Sequence, residues 1–314
     1  MPPRLRSILL SGLAIALVGV ATVSLFGFLA RWIWFADLIT PYRLQIAIGA
    51  AALCAASLLT RHRLIITASL AVLVLTLAPI ITRSVSVSVP ALPGPESAVR
   101  PVSVVMSNVL YVSKDYDTVL AMVDREDPDI FAVVEAADHW QSALSVLDTR
   151  YPYSYDIPGR SAFGISLYAK APFTAKILTL DDPEVPLLRA EFAEFVLFVA
   201  HPVPPVHARW SEKNRLYIDA LANQVRDAQK PVIVTGDLNS TLWSHSLTPL
   251  VEAKMQRPAG SGFAHTWPAD NPLMAIQIDH VLTRDIPAAR FKVLPSVGSD
   301  HFPIRADIDL SPQP

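Results

Sequence analysis

Apolar positions along this chain fall into two regimes. Up to residue 82 they come in unbroken runs, at 8–30, 44–60 and 64–81, and none of the three runs contains a charged side chain. A helix that crosses the hydrocarbon core of a bilayer needs roughly 17–25 predominantly apolar residues. Residues 1–83 therefore read as a membrane domain of three transmembrane helices. The first run exceeds the roughly 7–15 apolar residues of a signal peptide, and two more runs follow it. Arg61-His62-Arg63 predicts a tight basic turn between the second and third. Short basic loops orient spans. With Arg4, Arg6, Arg61 and Arg63 on the inner side, three spans leave the remaining chain outside, and Trp32, Trp34 and Tyr42 suit the outer interface. Residues 84–101 are rich in Ser and Pro and read as an extended, exposed linker.

From residue 102 the pattern changes to short apolar segments separated by polar ones. "VSVVMSNVL", "DIFAVVEA", "FGISLYAK", "AKILTL", "LLRAEFA", "EFVLFVAHP", "PVIVTGDLN", "IQIDHVLT" and "FPIRADIDL" read as strands. "YDTVLAMVDRED" has helical spacing, and "SEKNRLYIDALANQVRDA" is the clearest helix, with Leu216, Ile218, Leu221, Ala222 and Val225 on one face. Strands in quick succession with helices between them predict an α/β or α+β sandwich, two sheets covered by helices, over residues 102–314.

Charge separates the same two regions. Up to Pro101 there are eight Arg against Asp37 and Glu96, whereas the whole chain is at −2, so residues 102–314 carry −8. A domain of that sign lacks the basic surface that grips a polyanion through counterion release. The single cysteine, Cys54, lies in an apolar run, which excludes a disulfide framework and a cysteine zinc site.

Most of the predicted strands are interrupted or ended by one polar residue: Asn108, Glu135, His201, Asp237 with Asn239, Asp279, and Asp300 with His301. A polar group in a buried strand is costly unless it is paired or binds a metal. Strand ends converging on one face would make a carboxylate-rich cleft. Its hard oxygen donors favour Mg2+ or Mn2+. A metal held by Glu135, with Asn108 and Asp300 nearby, would neutralise a phosphate and assist an in-line displacement. In that reading His301 donates to a phosphoryl oxygen, Asp279 fixes its tautomer, Asp237 activates the attacking water and Asn239 contacts a phosphate oxygen. Side chains two apart on a strand share a face, which would let Asp237 and Asn239 address one phosphate.

The ordered set Asn, Glu, His, Gly-Asp-Leu-Asn, Ile-Asp-His, Ser-Asp-His-Phe-Pro resembles the endonuclease/exonuclease/phosphatase superfamily, over roughly residues 102–310. The resemblance implies a four-layered sandwich of two mixed β-sheets flanked by helices. It implies metal ligands at Asn108, Glu135 and Asp300, a water-activating and phosphate-orienting pair at Asp237 and Asn239, and a histidine at His301 oriented by Asp279. It also places His201 where the family has a phosphate-contacting histidine. His280 and the Pro-rich loop after His201 are similar to the membrane-anchored bacterial branch of the superfamily. The implied location is the bacterial cytoplasmic membrane, multi-pass, with the catalytic domain on the periplasmic side.

The expected activity is hydrolysis of a phosphoester: a lipid head group, a small phosphodiester or a nucleic acid, with the lipid bilayer as the other partner. An extracytoplasmic nuclease is the alternative, and a non-enzymatic membrane scaffold a third. His139, His207, His245 and His265 read as surface or capping histidines, and Trp267 as core packing, with the cleft rim or the lipid surface as the alternatives. His280 is either a partner of the site or paired with a neighbouring carboxylate. Arg160 either reaches the substrate phosphate or is a plain loop arginine.

Overall fold

A computed structural model describes residues 3–86, 89–92, 101–159, 161–180, 182–261 and 263–311. The chain forms two compact units. One comprises Met1–Ser86 with the short pieces Val206–Ala208 and Leu242–His245, and the other the remainder.

In the first unit, α1 (Pro3–Phe26), the short α2 (Trp34–Asp37), α3 (Arg43–Thr60) and α4 (Arg63–Ser86) follow one another. Three segments, Arg6–Arg31, Trp34–Thr60 and Arg63–Arg83, are helical, long and apolar enough to cross a membrane. Large apolar side chains point outward, among them Leu59 and Leu64, as expected of helices that are hydrophobic all round. Polar groups turn inward and find partners: the Ser57 and Ser69 hydroxyls meet at 2.8 Å between α3 and α4. Arg61 takes a left-handed backbone, φ 52°, and closes the tight turn that the basic tripeptide predicts. Within this unit the His245 backbone N–H donates to Asp37 Oδ1 at 2.8 Å.

The second unit runs β1 (Val102–Asn108), α5 (Tyr116–Glu126), β2 (Ile130–Val134), α6 (Asp138–Leu144), β3 (Tyr153–Ile157), β4 (Ile165–Ala169), β5 (Thr174–Leu178), β6 (Leu187–Glu191), β7 (Val196–Ala200), α7 (Ala208–Asp227), β8 (Val232–Asp237), α8 (Thr248–Glu252), β9 (Asp279–Arg284), β10 (Ala288–Val293) and β11 (Ile304–Asp309). These strands make two mixed sheets, in the orders β10-β11-β1-β2-β4-β3 and β5-β6-β7-β8-β9. Strand parity explains the layers. Val104, Met106, Ala132 and Val134 join one core cluster with Leu188, Leu197, Val199 and Ile233 of the other sheet. The alternate residues Val105, Phe131 and Val133 face outward and pack with Val119, Met122 and Trp140 of α5 and α6. On the second sheet α7 buries Ile218, Leu221, Ala222 and Val225 of the face its sequence spacing marks, whereas Leu216, expected on the same face, is exposed. The result is the expected four-layered arrangement.

This topology gathers the polar interruptions. The parallel pairs β1–β2 and β7–β8 end on the same side, and β9 begins there, with Asp279 paired to Asp237 in register. Ile276 makes only an isolated bridge, to Trp267, so the strand starts at Asp279, later than its apolar pattern suggests. The linker segment also departs from expectation where it is described. Val89 is buried in the core that the two sheets share. Its N–H donates to the Arg257 carbonyl at 3.0 Å, and the Ala289 N–H donates to the Pro90 carbonyl at 3.1 Å. Residues 87–88 and 93–100, and Arg160, lie outside the described residues.

Candidate active site

The buried run of β2 stops at Val134, and Glu135 follows with φ 59°. That left-handed backbone is uncommon for a residue with a side chain. Glu135 Oε2 accepts the Tyr111 N–H at 2.9 Å and Oε1 accepts Asn108 Nδ2–H at 3.0 Å. The same Asn108 nitrogen reaches Asp237 Oδ2 at 3.2 Å. One amide thus bridges two carboxylates from different sheets. Asn108 is held in turn, its Oδ1 accepting the Leu110 N–H at 3.0 Å.

Asp237 is the last residue of β8, and the glycine before it is required. Gly236 has φ 141°, and a Cβ there would stand 1.9 Å from the Ala200 carbonyl oxygen. Asn239 is not on the strand. It has φ 51°, its N–H donates to Asp237 Oδ1 at 2.8 Å and its Nδ2–H to the Pro202 carbonyl at 2.9 Å. Strand parity is therefore not what relates Asp237 to Asn239: the chain leaves β8 at Asp237 and turns back onto the carboxylate.

His301 Nδ1–H donates to Asp279 Oδ2 at 2.9 Å. Its Nε2 lies 3.4 Å from Asn108 Nδ2 and 3.7 Å from Asp237 Oδ2. Burial alone would pull this imidazole down, but the carboxylates of Asp279 and Asp237 overcome that and push it up to about 10. At neutral pH His301 is an imidazolium whose Nε2 proton faces the cluster with no close acceptor. His201 Nε2 is 3.7 Å from the same Asp237 oxygen, but here burial wins and the value falls, so His201 is neutral. Burial pushes Asp237 up to about 6 against the pull of His301. Burial also raises Glu135, opposed by its donors from Tyr111 and Asn108. Asp300 is exposed, and its Oδ2 accepts Trp267 Nε1–H at 3.1 Å.

These carboxylates lack enough positive charge nearby, which is the signature of a cation site. Asp237, Asp279 and His301 each offer a donor atom, all within 4.8 Å of one another. Asp279 Oδ2 is taken up by His301, whereas Glu135 and Asp237 converge on a single neutral amide. Asp279 Oδ1 is buried with no hydrogen-bond partner. The oxygen-rich donor set fits a divalent cation.

Three further residues support the cluster. His139 bridges Tyr116 Oη, at 2.9 Å, and the Tyr111 carbonyl, at 2.7 Å, and so braces the turn whose N–H holds Glu135. It is half-buried rather than a surface residue. His280 is fully buried and its Nε2–H donates to the Ser240 carbonyl at 2.8 Å, behind the Asp-Leu-Asn turn. Trp267, whose sequence context suggests core packing, lies at the site, its ring 6.3 Å from that of His301. The cleft rim is the alternative that the sequence leaves open for Trp267, whereas no sequence signal marks His139, because its partners are distant in the chain.

Solved structures share this fold. "SmcL" aligns with a TM-score of 0.56 at 13% identity, over 67% of this chain and 99% of that one. NExo, a 3′ phosphatase from Neisseria bound to product DNA hairpin, aligns at 0.56 and 15%, over 66% and 99%. A mutant beta toxin from Staphylococcus aureus with bound magnesium ions aligns at 0.53 and 16%, over 66% and 99%. Among curated proteins none matches. The model of the endonuclease/exonuclease/phosphatase family matches residues 107–301, a span bounded by the strand that ends in Asn108 and by His301 itself. The chain belongs to that family and is a phosphoric ester hydrolase.

Proposed function

We propose that the protein is a membrane-tethered, Mg2+- or Mn2+-dependent phosphodiesterase, with its catalytic domain on the extracytoplasmic side. The observation that carries the reaction is the Asp279–His301–Asp237 arrangement, an imidazolium clamped at Nδ1 with its Nε2 proton turned toward a buried carboxylate. Glu135 and Asn108 would hold the cation, with Asp300 at the rim. When bound, the cation neutralises charge on a phosphoryl oxygen. The chain's own groups do the rest. His301 donates from Nε2 to a phosphoryl oxygen as charge builds there. Asp279 keeps the ring oriented. Asp237 takes the proton of the attacking water. Neutral His201 and Asn239 position the phosphate.

The tether rests on the three apolar helices. The outward orientation rests on the basic loops. The −8 charge of residues 102–314 disfavours a nuclease as the main reading. The test is side-by-side turnover of phospholipid, sphingomyelin, bis-para-nitrophenyl phosphate and plasmid DNA by the full chain in nanodiscs. We expect lipid or small-diester hydrolysis that stops with chelator and with His301→Ala. Plasmid nicking without lipid or diester turnover would move the assignment to a nuclease. Turnover that survives chelation would refute the mechanism.

A further inference from the structure

We propose that the cleft between the β5–β6 loop and α7 binds the hydrocarbon chain of the phosphoester substrate. The proposal rests on the phosphodiesterase reading and specifies its substrate class. The cleft has a volume of about 610 Å³, within the usual size of small-molecule sites, roughly 300–1,000 Å³. Its apolar wall consists of Leu180, Val185, Val203, Leu216 and Tyr217. The Tyr217 hydroxyl is engaged, donating to the Pro186 carbonyl at 2.8 Å. Arg209 and Lys213, one turn apart on α7, bring positive charge to the lining, and Lys213 is tied to Asp182 at 2.5 Å.

The cleft lies at the end of the sheet that carries the catalytic cluster. Leu187, where β6 begins, pairs with Ala200, the residue before His201. Val203 of the cleft wall follows His201 by two residues, about 7 Å of extended chain. Asn214, fully buried on α7, donates to the Val203 carbonyl at 2.9 Å and reaches the Leu238 carbonyl at 3.4 Å. One amide thereby couples the cleft wall to the turn between Asp237 and Asn239.

The lining chemistry selects the occupant. Nucleobases are held by exposed aromatic faces. The described lining has one aromatic residue, Tyr217, and it is buried. Branched aliphatic side chains suit an alkyl chain, and the charge of Lys213 is offset there by Asp182.

The test compares methyl and hexyl para-nitrophenyl phosphodiesters with the full chain in nanodiscs. In parallel, calorimetry measures binding of methyl and hexyl phosphate, with empty nanodiscs subtracted. Each fully buried methylene is worth up to about fourfold. The hexyl diester should therefore show a KM at least about tenfold below the methyl diester. Leu216→Glu or Leu180→Glu, on half-exposed positions, should erase that preference by bringing the KM of the hexyl diester up to that of the methyl diester. Turnover with equal KM for both chain lengths, or a hexyl preference that persists in both variants, overturns the cleft and leaves the phosphodiesterase standing. If neither diester is cleaved, hexyl phosphate binding that is lost in the variants supports the cleft while the activity reading fails. Hexyl phosphate binding no tighter than methyl phosphate overturns the cleft.

Discussion

Asp279 Oδ2 and His301 Nδ1 are 2.9 Å apart, and both side chains are closed to solvent. Through Oδ2 the carboxylate orients the ring and stabilises its charge. Asp279→Asn keeps the shape and removes the charge. We expect kcat to fall at least about 100-fold, the scale of a positioned proton donor, with KM within about threefold. Steady-state kinetics check this, and an unchanged kcat would remove Asp279 from the mechanism.

Gly236→Ala should damage fold and activity together. The added methyl has no space beside the Ala200 carbonyl, and φ 141° is foreign to alanine. β7 and β8 would have to separate, at a cost of about 2–3 kcal/mol, and that shift moves His201 away from Asp237. Chemical unfolding read by tryptophan fluorescence measures the loss; a variant as stable as the parent contradicts the packing argument.

Much of this site is written in the sequence as contradiction. A buried strand that ends in Asn108, Glu135 or Asp237 breaks its own pattern, and the break has a chemical reason. Other features leave no such trace. β3 alternates Tyr-Ser-Tyr-Asp-Ile but is short and mostly exposed, and α6 is only seven residues long, so each makes only a brief periodic signal. Asn239 reads as strand because its neighbours do, and only its left-handed backbone removes it. His139 matters through the Tyr111 carbonyl, a partner that carries no residue-type signature.

His139→Ala should weaken metal dependence rather than chemistry. Without its bridge the turn at Tyr111 loosens, and Glu135 loses a fixed backbone donor. Partners one step removed from a metal ligand commonly contribute about 10–100-fold in affinity. The half-saturating Mg2+ concentration should rise by about tenfold while kcat at saturating Mg2+ is retained. A fall in kcat with unchanged Mg2+ response would argue for direct contact with substrate.

Acid should loosen the packing of α5 on the first sheet. Burial would raise Glu126, but its bonds to Lys292 and Arg125 and the charge of Arg305 lower it below the ordinary glutamate value. The Lys292 contact is 2.7 Å and Arg305 Nη1 also donates to the Glu126 carbonyl at 2.6 Å. A carboxyl with a folded value below its unfolded one adds stability above the unfolded value, near 4.5, and loses it as pH falls through the folded value. Glu126→Gln should therefore cost about 1–2 kcal/mol at pH 7. The gap should begin to shrink near pH 4.5 and vanish once the pH is below the folded value. Denaturation midpoints followed from pH 7 downward through the acid range give the comparison, and a gap that stays constant throughout would show that charge is not the cause.

β11 is the last strand of the chain, yet it lies inside the first sheet, between β10 and β1. During synthesis β1 therefore waits with one edge unpaired until residues 304–309 have left the ribosome. A nascent chain stopped at Phe302 would already contain Asn108, Glu135, His201, Asp237, Asp279 and His301. It would lack the strand that seats the segment carrying His301 against β1, so the hydrolase becomes competent only once residues 304–309 have paired.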